Sequence, residues 1–417
     1  MYFDEELFIK QLKEFIKIDS TNGNCGTVSE KVPLGQGVYD ALEFILSIGK
    51  EMGFKTKMLG GKCAYAECGT GKKLVGIIAH ADTVAAGDGW NTPPFECVLK
   101  DGVLYGRGVA DNKGQALLML HVMKAAEKAG AARDKRIRLI IGGDEESGVW
   151  QCIERYKKME EIPDMSFTPD GDFPVVNGEK GMLKFRIYKK ETGAKEAFSL
   201  TGGKVINIVP DAAQLTIGTK TVTVKGKGAH ASCPQNGENA ILKLADEYAE
   251  LLEGTDALRL IKLSCKKGLN IDISDEPSGC LTLNPAITKC TEKECYMDYD
   301  VRYPVTADGD EVVQRVRRSA EENGFSFKLI SHERPLYVPE DSPLVKTLAG
   351  VYTKCTGEKD TTIIIGGGTY AKAFPNCVAF GASFPSVPDC AHTANEFWSL
   401  ESVRKCFEIY TAALLKL

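Results

Sequence analysis

The sequence predicts an α/β protein with a mixed sheet, interrupted by a smaller inserted α+β domain. Up to about residue 178, short and continuously apolar segments alternate with helical patterns, which is typical of a sheet covered by helices on both faces. From Gly178 the predicted strands become half polar, as in an antiparallel sheet with one solvated face. Buried α/β patterns return after residue 335. Since 417 residues exceed one ordinary core, two domains are expected.

Helices and buried strands alternate in the first part of the chain. Helices are predicted for Asp4–Ile18, which Asp4 can cap, and for Gly37–Met52, which Gly53 ends. Uninterrupted apolar runs predict three strands, at Lys73–Ala79, Arg136–Gly142 and Met165–Thr168. A helix is predicted between the first two strands, at Asn112–Ala129. The polar residues able to carry chemistry follow the carboxyl ends of these strands, where open α/β sheets bind ligands.

The insert and the last part of the chain differ in pattern. Half-polar strands and two amphipathic helices are predicted in the insert: Lys184–Lys190, Thr221–Gly226, Gly237–Leu252 (helix), Cys280–Thr288, Glu294–Arg302, Asp310–Asn323 (helix) and Phe325–Ile330. Buried α/β character returns with Thr361–Ile365, Cys377–Ala382 and a final helix at Leu400–Leu415. The simplest arrangement is one α/β domain that a smaller domain interrupts.

Composition excludes several classes of protein. The net charge is −5 and no basic run is present, which argues against a nucleic-acid partner. No apolar run reaches the roughly 18 residues of a membrane span, and the N-terminus lacks the basic and apolar regions of a signal peptide. The protein is therefore expected to be cytoplasmic. The 14 cysteines form no CxxC pair and are expected to be free thiols.

Five polar clusters contain ligand-type side chains. They are His80-Ala-Asp82, Gly106-Arg-Gly-Val-Ala-Asp111-Asn-Lys-Gly, Asp144-Glu145-Glu146, Pro169-Asp170 and Ala391-His392-Thr-Ala-Asn-Glu396. Zinc accepts imidazole nitrogen and carboxylate oxygen, and a catalytic site keeps one position open for water. Two neighbouring zinc ions need a bridging carboxylate and separate further ligands. These clusters supply such a set without any cysteine.

Each cluster taken alone has a plainer interpretation. His80-Ala-Asp82 can be a structural pair, Glu145-Glu146 a solvated acidic turn, and Asp111 a helix N-cap. Asp170 can be a turn residue and His392 a hydrogen-bonded loop histidine. The joint occurrence of the clusters, each after a buried strand or in a glycine-framed loop, favours a metal site. His121, within a helical pattern, is interpreted as a packing residue.

The clusters carry a resemblance to a known family. His80-Ala-Asp82-Thr-Val, Tyr105-Gly-Arg-Gly-Val-Ala-Asp111-Asn-Lys-Gly and Asp144-Glu145-Glu146-Ser-Gly148 resemble the motifs of the M20 family of metallopeptidases. Thr168-Pro-Asp170-Gly-Asp-Phe-Pro174, Asn177-Gly-Glu-Lys-Gly181 and Gly366-Gly-Gly-Thr369-Tyr370 are similar to its dipeptidase V (PepV) branch. The likeness extends over essentially the whole chain.

The resemblance implies a site with two zinc ions. One ion would be held by His80, Asp111 and Asp170 and the other by Asp111, Glu146 and His392, so that Asp111 bridges them. Asp82 would accept the ring N–H of His80 and orient it. Glu145 would be the general base for the hydroxide that both ions hold. Manganese and cobalt accept the same ligands.

The insert would supply substrate-binding groups. By resemblance, His230 stabilises the oxyanion and Arg302 binds the C-terminal carboxylate of the substrate. Asn207 would contact the substrate, and Gly367, Gly368 and Thr369 would offer backbone N–H groups to the carboxylate. The alternatives are a structural histidine, a strand-end salt bridge and a plain glycine turn. His332 is assigned no role.

The implied organisation is a discontinuous catalytic domain, residues 1–178 and 335–417, with a ferredoxin-like lid at 179–334. The implied activity is a metal-dependent dipeptidase. Two alternatives are an N-acyl-amino-acid amidohydrolase of the same family and an inactive relative that binds peptides. The lid looks shorter than in the PepV branch, mostly before His230. This leaves open a monomer or a homodimer, and whether His230 acts within its own chain.

Overall fold

The computed structural model describes residues 2–23, 26–190, 198–359 and 361–417. The chain forms two compact units. Unit 1 comprises Met1–Asn177, Val338–Ile363 and Thr369–Leu417, and unit 2 comprises Gly178–Tyr337 and Ile364–Gly368. The short segment Ile364–Gly368, which the sequence placed in the catalytic domain, is thus part of unit 2.

Unit 1 is built on a mixed sheet, as the sequence predicted. Its strands lie side by side in the order Lys55–Leu59, Cys63–Gly69, Lys135–Gly142, Lys73–His80, Met165–Thr168, Cys377–Ala379 and Val176–Glu179. The strand Val176–Glu179 leads the chain into unit 2 and also pairs with Leu336–Tyr337 and Ile363–Ile365. Short strands outside this sheet are Val98–Lys100, Val103–Tyr105, Gly171–Asp172, Ala382–Ser383 and Phe397–Ser399.

The helices of unit 1 are amphipathic or buried. They span Glu5–Ile16, Gln36–Glu51, Lys113–Lys128, Gln151–Met159, Pro343–Thr356 and Leu400–Lys416, with a 3₁₀ turn at Tyr370–Ala373. Asp4 caps the first helix by accepting the Leu7 N–H at 3.0 Å, as expected. Among the described residues, no helix combines the length and apolarity that crossing a membrane requires.

Three parallel strands form the centre of the sheet. Lys73–His80 lies between Lys135–Gly142 and Met165–Thr168, and it is buried from Leu74 onward. This burial explains its uninterrupted apolar sequence. In the pairing, His80 lies opposite Gly142, so the loops that follow both strands leave from the same edge of the sheet.

The sequence did not predict the hairpin of Lys55–Leu59 and Cys63–Gly69. These strands pair antiparallel, and the second joins the sheet edge beside Lys135–Gly142. The turn between them uses Gly60 and Gly61, with φ of 65° and 67°, a conformation that glycine adopts readily. The first strand is mostly polar, so its position depends on pairing rather than on an apolar pattern.

Unit 2 contains a seven-stranded sheet in which all neighbours are antiparallel. The order is Lys220–Lys225, Ala212–Ile217, Phe198–Gly202, Thr282–Thr291, Glu294–Tyr303, Gly181–Lys190 and Ser326–Glu333. Its helices are Ala240–Glu247, Ala249–Leu252, Asp256–Leu263 and Gly309–Glu322, with a 3₁₀ turn at Pro234–Asn236 and a small hairpin of Ser274–Asp275 and Gly279–Cys280. The single helix predicted for Gly237–Leu252 is therefore divided at Tyr248.

One expectation about the cysteines is wrong. Cys290 and Cys295 lie directly opposite each other on adjacent strands of unit 2, and their sulfur atoms form a disulfide. The sequence could not indicate this pairing, because it depends on the register of two strands. The other described cysteines are free, and several are buried.

Candidate metal centre

The predicted ligands of unit 1 converge at the carboxyl edge of the central strands. His80 is the last residue of its strand, and the loop with Glu145 and Glu146 follows the neighbouring strand. Asp170 follows the strand on the other side, Met165–Thr168. Parallel strands end at a common edge, so three sequence-distant clusters become spatial neighbours.

The Asp111 carboxylate faces two imidazoles, one with each oxygen. His80 Nε2 lies 3.0 Å from Asp111 Oδ1 and 3.5 Å from Asp170 Oδ2. His392 Nε2 lies 3.1 Å from Asp111 Oδ2 and 3.1 Å from Glu146 Oε2. The five side chains thus form two groups, each with one imidazole, and both groups share Asp111.

These distances fit metal coordination. Tetrahedral zinc with bonds of about 2.0–2.1 Å holds neighbouring ligand atoms roughly 3.3 Å apart. The ligand atoms of His80, Asp111 and Glu146 also lie within 4.8 Å of one another. Glu146 Oε1 is buried and has no hydrogen-bond partner in the part of the chain that the structure describes. A buried carboxylate oxygen without a donor is explained by a cation.

The electrostatics of the cluster also favour positive charge. Hydrogen bonds to Asp111 and Glu146 raise the pKa of His392 to about 11. Burial alone would lower the pKa of His80, but the charge of Asp170 and the Asp111 hydrogen bond raise it well above its usual value. Burial, together with the neighbouring Asp170 and Glu146 charges, raises the pKa of Glu145 well above its ordinary value. The pocket therefore stabilises cations.

Asp82 has a wider set of contacts than the sequence suggested. The shorter contact of His80 Nδ1 is to the Asp82 carbonyl at 3.0 Å, with carboxylate Oδ1 at 3.5 Å. The carboxylate accepts the backbone N–H of Glu145 at 3.1 Å and that of Glu146 at 3.0 Å. It also accepts a hydrogen bond from Asn22 Nδ2 at 3.0 Å. Asp82 thus connects the first ligand strand to the loop with both glutamates.

Asn22 and Asn112 were not assigned roles from the sequence. Asn112 donates to Asp170 Oδ1 at 3.0 Å, and its own oxygen accepts the His80 N–H at 3.4 Å. Asn112 directly follows Asp111 in one of the motifs quoted above, so the sequence did contain a signal for its place in the site. Asn22 lies far from every quoted motif, so only the fold could reveal it.

The predicted substrate-binding residues belong mostly to unit 2. His230, Arg302, Asn207, Gly367 and Gly368 are in unit 2, whereas Thr369 is in unit 1. The Thr369 hydroxyl oxygen accepts the Ala371 N–H at 3.1 Å and begins the 3₁₀ turn. The Asn207 backbone carbonyl accepts the Ala231 N–H at 2.9 Å, one residue beyond His230.

His230 is exposed on unit 2 and held by Ser232. Its Nδ1 lies 2.7 Å from the Ser232 hydroxyl and accepts the Ser232 backbone N–H at 3.2 Å. Partial burial and the Arg302 charge lower the pKa of His230, which favours the neutral ring. Because Nδ1 accepts a hydrogen bond, the proton of a neutral ring is on Nε2.

Arg302 is buried in unit 2 and makes an ion pair with Asp300. Its Nε and Nη2 donate to the two Asp300 oxygens at 2.6 and 2.9 Å. Its Nη1 donates to the Gly366 carbonyl at 2.7 Å and so fixes the glycine-rich segment. The strand-end salt bridge considered above is therefore present, and it uses only part of the guanidinium.

Known peptidases are similar to this chain over most of its length. Residues 76–416 match the sequence profile of peptidase family M20/M25/M40. The chain is 35% identical over 457 aligned positions to "Putative dipeptidase YtjP" of Bacillus subtilis (strain 168), covering 99% of this chain and 97% of the relative. It is 32% identical to the Beta-Ala-Xaa dipeptidase of Lactobacillus delbrueckii subsp. lactis, covering 99% and 96%.

Solved structures share the fold at low sequence identity. The aminoacylhistidine dipeptidase of Vibrio alginolyticus superposes with a TM-score of 0.65 at 16% identity, covering 97% of this chain and 95% of that one. Human carnosine dipeptidase 1 gives a TM-score of 0.62 at 16% identity, covering 99% and 96%.

Proposed function

Because the chain belongs to peptidase family M20/M25/M40, we propose that it is a two-metal dipeptidase that hydrolyses the peptide bond of dipeptides. The observation that carries the proposal is the Asp111 carboxylate, whose oxygens face two separate groups of ligand-type side chains. The similarity to the Beta-Ala-Xaa dipeptidase supports dipeptides as the substrate class.

The proposed ligands divide between two zinc positions. His80, Asp111 and Asp170 would hold one ion, and Asp111, Glu146 and His392 would hold the other. Bound zinc supplies charge that polarises the substrate carbonyl and lowers the pKa of a water molecule towards about 7. The unpartnered Glu146 Oε1 supports this assignment. Manganese and cobalt accept the same donor set.

Glu145 is the proposed general base. Its N–H donates to Asp82, and its carbonyl accepts the Gly148 N–H at 2.9 Å and Trp150 Nε1 at 3.2 Å. These bonds fix the backbone on both sides and leave the carboxylate free to act. The carboxylate takes a proton from the water and passes it to the leaving amine.

Unit 2 is proposed to bind and polarise the substrate as a lid. His230 donates through Nε2 to the oxygen that becomes negative. Arg302 has five N–H donors, of which Asp300, Gly366 and Met182 use four, and the remaining one, on Nη2, is proposed to bind the C-terminal carboxylate. Asn207, Gly367, Gly368 and Thr369 complete the proposed substrate contacts.

The oligomeric state remains a monomer or a homodimer in this proposal. The alignment with the Bacillus subtilis relative spans 457 positions, more than the 417 residues of this chain. The relative therefore has residues without a counterpart here, and we propose that they belong to its lid. A shorter lid is one reason to test whether His230 acts within its own chain.

A substrate panel tests the proposed function. Purified protein is reconstituted with zinc and assayed on dipeptides, tripeptides and N-acyl amino acids, and its metal content is measured. We expect two zinc ions per chain and hydrolysis of dipeptides. Cleavage of the acyl compounds alone would establish the amidohydrolase instead, and binding of dipeptides without turnover would establish an inactive relative.

Glu145→Gln tests the role of the base. Zinc content should stay at the wild-type level, while kcat falls by about 10²–10⁴, because proton transfer is lost. Glu154→Gln is the control, since Glu154 lies exposed on the helix that follows the same loop. Equal kcat values for Glu145→Gln and the wild type would remove Glu145 from the mechanism.

A further inference from the structure

A buried ion pair connects two of the ligand loops of unit 1. Arg107 Nη1 and Glu396 Oε2 are 2.7 Å apart, and the two side chains are 1% and 0% exposed. Arg107 lies four residues before Asp111, and Glu396 lies four residues after His392. The pair therefore joins the loop of the shared carboxylate to the loop of the last ligand.

Glu396 also holds the backbone that leads to Asp111. Its Oε1 accepts the N–H groups of Ala110 at 2.7 Å, Asp111 at 3.0 Å and Gly108 at 3.1 Å. Its Oε2 accepts the Gly108 N–H at 3.1 Å in addition to the Arg107 guanidinium. A carboxylate with this many donors fixes the position and direction of the peptide that carries the Asp111 side chain.

Arg107 makes a second contact with the His392 loop and reaches one further segment. Its Nη2 donates to the Thr393 carbonyl at 3.2 Å, next to His392. It also lies within hydrogen-bond distance of the Ala86 carbonyl at 3.3 Å and the Ala85 carbonyl at 3.4 Å. Those two residues follow the His80-Ala-Asp82 cluster. Arg107 thus links its own segment to two others among the five segments that carry the proposed ligands.

The His392 loop needs such support because its backbone is strained. His392 has φ of 61° and Asn395 has φ of 63°, a region that side-chain-bearing residues rarely adopt. Such conformations persist where surrounding contacts over-determine them, and they occur preferentially at functional sites. The Asn395 side chain makes two hydrogen bonds. Its Nδ2 donates to the Gly89 carbonyl at 3.1 Å, and its Oδ1 accepts the Asn91 N–H at 2.7 Å.

We propose that Arg107 and Glu396 are a positioning pair that sets the separation of Asp111 and His392 for the metal position that these ligands share. The inference rests on the proposed metal centre. Neither residue touches a reacting atom. The pair acts by holding Asp111 and His392, which are 281 positions apart in the sequence, at the separation that one ion requires.

Glu396→Gln tests this role, because it keeps the size of the side chain and removes its charge and one acceptor oxygen. Zinc affinity and stoichiometry are measured by competition with a zinc-binding dye. The visible absorption spectrum of the cobalt-loaded protein reports ligand geometry. Glu67→Gln is the matched control: Glu67 forms a buried ion pair with Arg138 in the same unit, with Arg138 Nε and Glu67 Oε2 2.6 Å apart.

In Glu396→Gln we expect one of the two zinc affinities to fall by about 10- to 100-fold and the cobalt spectrum to change. Glu67→Gln should lower thermal stability while keeping wild-type affinities and spectrum. If Glu396→Gln does not fold, Arg107→Lys gives the same test, because it keeps the charge and loses the forked contacts to the loops.

Two results would overturn the inference in different ways. If the wild type binds two zinc ions and Glu396→Gln (or Arg107→Lys) keeps both affinities and the spectrum, the pair has no positioning role, and the metal centre stands. If the wild type takes up no zinc, the proposed metal centre fails and the inference fails with it.

Discussion

The Asp82 carboxylate accepts the backbone N–H of Glu145 at 3.1 Å. This contact joins the loop after the central strand to the residue proposed as general base. The same carboxylate accepts the next backbone N–H, that of the proposed ligand Glu146, at 3.0 Å. Asp82 therefore fixes the backbone of the proposed base and of a proposed metal ligand, besides its contacts with His80.

Asp82→Asn should lower kcat by about 10- to 100-fold. The donors from Asn22, Glu145 and Glu146 are shared between two carboxylate oxygens in the wild type, whereas the asparagine amide offers only one acceptor oxygen. Asp164→Asn is the control: Asp164 accepts the Leu74 N–H at 2.7 Å near the other end of the same central strand. Steady-state kinetics and thermal melting are compared. An equal loss of kcat in both variants would mean that Asp82 acts through stability alone.

His230→Ala should lower kcat by about 10²–10³ and change KM little, because the lost hydrogen bond belongs to the transition state. Binding of a phosphinic dipeptide mimic should weaken in parallel. His332→Ala serves as the control, since His332 is in unit 2 and lies 2.9 Å from the Tyr303 hydroxyl. Unchanged mimic affinity in His230→Ala would refute the oxyanion role.

Arg302→Lys should weaken discrimination between a dipeptide and its C-terminal amide. The lysine keeps a positive charge beside the buried Asp300 but loses the planar guanidinium, and with it the N–H that is proposed to bind the substrate carboxylate. We expect the ratio of kcat/KM for acid over amide to fall by about ten- to a hundredfold.

Arg186→Lys is the matched control for this measurement. Arg186 makes a similar two-bond ion pair with Asp298, at 2.6 and 2.8 Å. Asp298 lies on the strand that carries Arg302 and Asp300, and Arg186 lies on the neighbouring strand. Its acid-to-amide ratio should equal that of the wild type. A ratio that is also unchanged in Arg302→Lys would remove Arg302 from carboxylate binding.

His121 should make stability depend on pH. It is buried in the helix Lys113–Lys128, where Nε2 contacts Gln11 Oε1 at 2.8 Å. Burial lowers the pKa of His121 to about 4. The unfolded chain binds a proton below about pH 6.5, whereas the folded chain stays neutral until about pH 4. The stability contributed by His121 is therefore complete above pH 6.5 and is lost as the pH falls towards 4.

Between pH 7.5 and 5.5 the wild type should lose about 1 kcal/mol more unfolding free energy than His121→Gln, which cannot take up this proton. Denaturant unfolding of both proteins in the presence of a chelator measures the difference, and the chelator removes metal loss as a cause. Parallel pH profiles would contradict the prediction.

Part of the candidate site could be predicted because its ligands follow recognisable strands. The run ending at His80 is buried on both faces, so the sequence itself predicts a central strand. The hairpin at Lys55–Leu59 escaped prediction, because its polar strand is defined by its partner. Gln151–Met159 and Pro343–Thr356 were also missed, although the latter has the capping serine Ser342.

The sequence by itself determined which residue types were available: two imidazoles and seven carboxylates in the five polar clusters. From the resemblance came an expected division of roles among them. Tertiary structure decided which distant segments meet. The contact of Arg107 with Glu396 spans 289 positions, and that of Asn22 with Asp82 spans 60. Local patterns report burial and element type, which depend on neighbouring residues. Contacts between loops depend on sheet order and register, and no local pattern encodes these.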